Sequence, residues 1–438
     1  MNPLHCSHTR LVSGRRDFLR HTSAGFGWLA LNAMQSQLAA AASPLDPKKP
    51  HLTPKAKRVI FFFMDGGPSH LDTFDHKPKL KNSEQATPSV FDFIPGGKSG
   101  LMMSSIFPKL SQHADHMCIL NGMHTVTASH TEAQLALHTG TDRGVRPSLG
   151  AWTIYGLGSE SQELPGFISI DPVGGVGARG YGNAYLPSVY QGTKLTSGKG
   201  LAFIEPKQAE AEQLRQIALM RRLGHQLQLE DPANSEIEGV ISSFERAFAM
   251  QTAVPAVLDI TTETDATVKL YGDTKFGKQC LLARRLAEDG VRFIQIGVGG
   301  WDNHSNIQSS LQAKGTEIDG PIAALMTDLK ERSMLEDTLI VWGGEFGRTP
   351  RSRNGGRDHN NKGFSMWLAG GGVKGGHRHG ATNDIGAEAV DGKVSMSDLH
   401  ATILHLLGLK IEKLTYPFAD RDVRLRDNPG TVIEEILA

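Results

Sequence analysis

Short apolar, β-rich runs recur along this chain at about residues 58–64, 117–121, 166–170, 292–298, 338–343 and 364–369. Each has the length of a single strand. Between several of them the apolar positions change to helical spacing, as in 274–290 and 316–333. Strands alternating with helices make parallel βαβ units that pack on both faces of one sheet. The pattern therefore predicts an α/β fold, a doubly wound, mostly parallel sheet with helices on both faces.

Acids and imidazoles stand where these runs stop. Phe61-Phe62-Phe63-Met64 leads into Asp65-Gly66-Gly67, and Phe293-Ile294-Gln295-Ile296 leads toward Trp301-Asp302-Asn303-His304. Leu339-Ile340-Val341-Trp342 leads into Gly343-Gly344-Glu345-Phe346-Gly347, while Arg357-Asp358-His359 comes just before Phe364-Ser365-Met366-Trp367-Leu368. Ligands of open α/β sheets bind beyond the carboxyl ends of the strands, so residues far apart in sequence can meet there. Each cluster taken singly has an ordinary explanation as a capped turn. Their joint occurrence predicts a shared metal site formed by Asp65, Asp302, His304, Glu345 and His359.

Composition sets outer bounds. With 438 residues, and Lys+Arg 46 balanced by Asp+Glu 46, the chain can fill one large core or two modest ones. The balance argues against nucleic acid as a partner. Ser13-Gly14-Arg15-Arg16-Asp17-Phe18-Leu19-Arg20 precedes the weakly apolar run Ala24 to Leu31 and the small residues 39–43. Residues 1–42 thus look like a twin-arginine export signal, which makes the twin-arginine translocase a partner during export and the periplasm or exterior the destination. The run is too short for a membrane span, which needs about 20 apolar residues, and no other candidate appears. Residues 43–57 read as a linker and 58–438 as the folded domain, with a Gly-rich excursion near 172–200 and a helical insertion near 206–252. Beyond the signal only Cys118 and Cys280 remain, either paired or, equally well, buried as free thiols.

The order of these motifs, Asp65-Gly66-Gly67, Asp302-x-His304, the run ending in Glu345-Phe346-Gly347, and His359 before Met366-Trp367-Leu368-Ala369-Gly370-Gly371-Gly372-Val373, is similar to the alkaline phosphatase-like superfamily. Ser397-Asp398-Leu399-His400-Ala401-Thr402 through Leu409 resembles a late sulfatase segment. Within that superfamily the chain most resembles the DUF1501 family of secreted proteins, over nearly all of residues 58 to 410. The resemblance implies an alkaline phosphatase-like domain that hydrolyses sulfate or phosphate esters of small molecules or polysaccharides. It matches Asp65 and Glu345 to aspartates of the family's metal centre, Asp302 and His304 to the acid and histidine of the other metal position, and His359 to the late histidine before the Gly-rich turn. Phe346 stands where the family has a histidine, so the resemblance implies one or two divalent ions, Ca²⁺, Mg²⁺, Mn²⁺ or Zn²⁺, in a site richer in oxygen than usual and tuned to the first three rather than to zinc.

The family's nucleophile lies about ten residues before a Thr-Gly pair. Counting back from Thr139-Gly140 reaches Ser129-His130-Thr131, with no cysteine for formylglycine chemistry. Thr131 or Ser129 is the candidate nucleophile, or else an N-cap, and His130 is either part of the catalytic group or a further ligand. Arg348 and Arg357 are candidate receptors for the ester's anionic group. Two other readings stay open: a non-catalytic surface binding or scaffold protein that keeps the fold, and a phosphoryl-transfer enzyme.

Overall fold

The structure is a computed structural model that describes residues 44–161, 163–198, 200–201, 209–230, 248, 254–419, 421–425 and 430–438. The export signal expected in residues 1–42 and much of the insertion expected near 206–252 lie outside them. Within that insertion, Glu210–Glu230 is helical.

All six apolar runs form strands of one ten-stranded sheet. Its strands and the principal helices are, in chain order, β1 (Arg58–Met64), β2 (Met117–His124), α1 (His130–Thr139), α2 (Leu149–Leu157), β3 (Phe167–Ile170), β4 (Thr193–Thr196), α3 (Lys275–Glu288), β5 (Phe293–Val298), α4 (Ile307–Glu331), β6 (Thr338–Gly343), β9 (Phe364–Ala369), β10 (His377–His379) and α5 (Met396–Leu406). The labels β7 (Gly347–Arg353) and β8 (Gly356–Asn360) belong to a separate antiparallel hairpin. The path across the main sheet is β10, β2, β9, β6, β1, β5, β3, β4 and the short Gly200–Leu201 edge, with Val394–Ser395 also pairing with β2.

The centre is parallel: β1 lies between β5 and β6, with Met64 opposite Val298 and Phe63 opposite Gly343. β3 continues it in parallel on β5, and β4 on β3. β9 departs from the parallel expectation, running antiparallel to both β2 and β6. Its starting end, rather than its finish, therefore lies at the rim where β1, β5 and β6 stop. That geometry brings residues preceding β9 to the same crevice as residues following the other three strands.

Alternation along β1 divides the core in two. Ile60, Phe62 and Met64 pack with α3 and α4 residues such as Cys280, Leu281 and Ile322, whereas Val59, Phe61 and Phe63 pack with Trp152 of α2 and Leu399 of α5. Burial of each such side chain contributes about 1.5–3 kcal/mol. Helices thus cover both faces, as the alternation of elements predicts. Cys280 belongs to the first cluster and Cys118 to the second, and both are buried free thiols.

Two organisational expectations change. Residues 44–57 carry no helix or strand, yet they do not behave as a loose linker: Leu45 and Ala56 are buried, and the N–H groups of Lys55 and Ala56 donate to the Leu406 carbonyl. The Gly-rich stretch is likewise more than a surface excursion, because it ends in β4, whose pairing on β3 extends the sheet.

Candidate metal centre

Four separate segments meet beyond the end of the central strands. The turn after β1 carries Asp65, the turn after β5 carries Asp302 and His304, and the turn after β6 carries Glu345. The fourth is the β7–β8 hairpin, where His359 lies on β8. Arg353 pairs with Gly356 across Asn354 and Gly355, whose positive φ values of 53° and 74° are those of a two-residue hairpin turn. The hairpin tip is sewn to the Asp302 turn: Ser305 bridges to Gly355, Arg357 N–H donates to the Asn303 carbonyl, and Ile307 N–H donates to the Gly355 carbonyl. A Cβ on Gly356 would sit 2.1 Å from the His304 carbonyl carbon, so this approach requires glycine.

His130 joins them as the first residue of α1. His130, Asp302 and His359 place ligand atoms within 4.8 Å of one another. His304 Nε2 lies 3.0 Å from both Asp302 Oδ1 and His359 Nε2. His359 Nε2 is 3.1 Å from Asp302 Oδ1, and His130 Nε2 is 3.3 Å from Asp302 Oδ2. Donors bound to one tetrahedral ion at 2.0–2.1 Å stand roughly 3.3 Å apart, which is the spacing found here. His130 Nε2 is buried with no hydrogen-bond partner, an orphaned donor that a cation would satisfy. The residues present fit a divalent cation. Ring nitrogens outnumber carboxylates in this group, while the further carboxylates Asp65 and Glu345 lie behind it.

Electrostatics set the group's charge. Burial pushes the Asp302 carboxyl up, but Arg348, His359 and His130 outweigh it and hold the acid at about 2. His130 is shifted upward by its hydrogen bond to Glu345, against the effect of burial. His359 is shifted downward by burial. Asp65, raised first by burial and then by the neighbouring Glu345, reaches about 6.

Behind the rings lie the two inner carboxylates. Glu345 is fully buried, and its Oε1 accepts from Gly66 N–H at 3.1 Å, from His130 Nδ1 at 2.6 Å and from Gln134 Nε2 at 3.2 Å. Gln134 Nε2 also donates to Asp65 Oδ1 at 2.6 Å, while its Oε1 accepts from Gly175 N–H at 2.8 Å. The Gly-rich segment thereby forms a wall of the crevice. Phe346, buried at the position where the resembling family has a histidine, packs its ring 4.9 Å from His130 and 4.5 Å from His359.

The remaining expected residues are placed as follows. Ser129 stands at the N-cap position just before α1 with no side-chain capping hydrogen bond, and its hydroxyl donates to the Glu132 carboxylate on the exposed side. Thr131 is exposed, with Oγ1 beside Gly175. Arg357 is not an anion receptor: it is buried, and its guanidinium donates to Asp72 and to the carbonyls of Thr87, Pro88, Thr349 and Pro350. Arg348 is also buried, donating to the Gly66, Gly67, Trp301 and Arg357 carbonyls and, at 2.6 Å, to Asp302 Oδ1, so it braces the crevice from behind. Sequence reasoning missed Gln134 and the role of Asp358, which accepts from His304 Nδ1 at 3.0 Å. It also missed the hairpin, although Asn354-Gly355 is the strongest short hairpin signal a sequence offers.

The chain belongs to the DUF1501 family, described as a protein of unknown function, whose model matches residues 56–437. No curated protein matches the sequence. Among solved structures the chain is similar to Ps i-CgsB in complex with k-i-k-neocarrahexaose, at 12% identity and a TM-score of 0.40, covering 84% of this chain and 73% of that one. It is similar to the PsFucS1 sulfatase from Pseudoalteromonas sp., at 12% identity and a TM-score of 0.37, covering 83% and 68%. A third is the phosphonate monoester hydrolase of Agrobacterium radiobacter, at 9% identity and a TM-score of 0.39, covering 89% and 77%.

Proposed function

We propose that this protein is an exported, metal-dependent hydrolase of sulfate or phosphate esters. The supporting observation is the convergence of Asp302 and the Nε2 atoms of His130, His304 and His359 from three separate segments, with the His130 nitrogen making no hydrogen bond. A bound ion supplies Lewis acidity toward an ester oxygen at the crevice. The chain's own residues orient the rings, pack them on one side against the buried Phe346, and fix Asp302 through Arg348. The attacking oxygen comes from water, whose proton goes to the departing ester oxygen, or from Thr131, the hydroxyl beside the Gly175 wall, whose proton does the same and whose own sulfate or phosphate ester a water then hydrolyses to release the acid and restore the hydroxyl. The substrate is a small-molecule or polysaccharide ester.

Export rests on Arg15-Arg16 and the small residues after them. No helix among the described residues is long and apolar enough to cross a membrane.

The test is elemental analysis of purified protein, followed by assay of sulfate and phosphate esters with added Mn²⁺, Ca²⁺ or Zn²⁺. Bound metal together with turnover that disappears in Asp302→Ala supports the reading. Bound metal with no hydrolysis of either ester class leaves a binding protein and overturns it.

A further inference from the structure

Asp65 and Glu345 lie beside the imidazole cluster but differ from it in how their oxygens are used. We propose that the crevice holds a single ion, on the imidazole side, and that Glu345 and Gln134 are positioning residues rather than ligands. This rests on the metal-dependent reading above.

Three observations carry it. First, each ring uses Nδ1 for orientation and presents Nε2: His130 Nδ1 donates to Glu345 at 2.6 Å, His304 Nδ1 to Asp358 at 3.0 Å, and His359 Nδ1 to the Ala128 carbonyl at 2.8 Å. Metal-ligating histidines characteristically donate their other ring N–H to a carboxylate or carbonyl, which fixes the tautomer. Glu345 therefore stands to His130 as Asp358 stands to His304. Second, Glu345 Oε1 already accepts three hydrogen bonds in a fully buried position. Third, the Gly175 N–H at Gln134 Oε1 fixes which way the amide faces, so its NH₂ group points at both Asp65 Oδ1 and Glu345 Oε1. A cation between those carboxylates would meet amide protons. The amide supplies there the positive dipole that a second ion would otherwise provide, and the Phe346 ring takes up room beside Glu345 without offering a ligand atom.

The experiment is metal titration of the full folded protein with Zn²⁺, read by elemental analysis, and with Co²⁺, read by visible spectrum. Wild type is expected to bind one equivalent; two equivalents overturn the proposal. Glu345→Gln, checked for folding by circular dichroism, is expected to keep one equivalent and the wild-type Co²⁺ spectrum at saturation, with affinity weakened ten- to a hundredfold. A changed spectrum at saturation makes Glu345 a ligand, and unchanged affinity removes its positioning role, either result overturning the idea. Gln134→Glu adds a third carboxylate in place of the amide and is expected to raise the stoichiometry to two; a stoichiometry held at one refutes the exclusion of the second ion by the amide. Failure of wild type to bind any ion overturns both this inference and the hydrolase reading. One bound ion with these variant responses but no ester hydrolysis overturns the hydrolase reading alone.

Discussion

Two places in this protein gather charged or titratable groups from distant segments, and they are opposites. Around Arg357 and Asp72 everything is satisfied: the side chains are 1% and 0% exposed, the pair closes at 2.8 Å, and carbonyls take up the remaining guanidinium protons. Around Asp302 the rings converge on one another, and the His130 Nε2 atom is buried without a hydrogen-bond partner, 3.3 Å from Asp302 Oδ2. Both Arg357 and His359 lie on β8, two residues apart. The contrast separates a saturated strut from a group of donors that face one another. Charge and chain position alone do not distinguish them; the hydrogen-bond inventory does.

The comparison can be broken most decisively at the cluster. His359→Ala removes one of the convergent nitrogens, and the expected result is loss of bound metal and of ester turnover together, as followed by elemental analysis and kinetic assay. Retained metal would put the ion elsewhere. At the strut, Asp72→Ala leaves a buried guanidinium unpaired and is expected to destabilise the protein by about 3–5 kcal/mol in denaturant titration. A change below about 1 kcal/mol would mean that the surrounding carbonyls suffice.

A smaller effect comes from His138, on the inner face of α1, with its ring edge-on to Phe63 at 4.6 Å. Burial lowers its pKa from 6.5 to about 4, partly offset by a hydrogen bond with Gln295. The unfolded chain therefore takes up this proton first as pH falls, so the stabilising contribution is complete above about 6.5 and is lost progressively toward 4. The total is about 3 kcal/mol. His138→Leu should flatten the stability profile over that window, and an unchanged acid limb would exclude His138 as its source. Smallest of all, Asp358→Asn weakens the acceptor for His304 Nδ1 at a half-exposed position and should lower metal affinity by about tenfold, measured by competition with a chelator.

Much of the scaffold was legible because burial on both faces of the sheet demands uninterrupted apolar runs, such as Val59 to Met64 and Leu339 to Trp342. The rim residues were legible for a related reason, since carboxylates and histidines interrupt those runs only where strands end. The antiparallel sense of β9 was not, because direction leaves no trace in a six-residue apolar run. Arg348 and Arg357 misled because a basic loop and a buried basic hairpin read alike in sequence; only the placement of Asp72, 285 residues away from Arg357, tells them apart. Gln134 gave no signal, as a glutamine in a helix is unremarkable until the Gly175 N–H and two carboxylates are seen around it.

The β7–β8 hairpin also has a kinetic consequence. Its two strands close across a two-residue turn and are tied to the neighbouring Asp302 turn, so the half of the cradle carrying His304 and His359 can assemble from contacts within the later part of the chain. His130 must arrive across a separation of 215 residues to reach Glu345, and closure over such lengths is entropically slower. The full crevice, which also needs the Gly66 turn to reach Glu345 across 279 residues, should therefore mature late in refolding, after the half that carries His304 and His359.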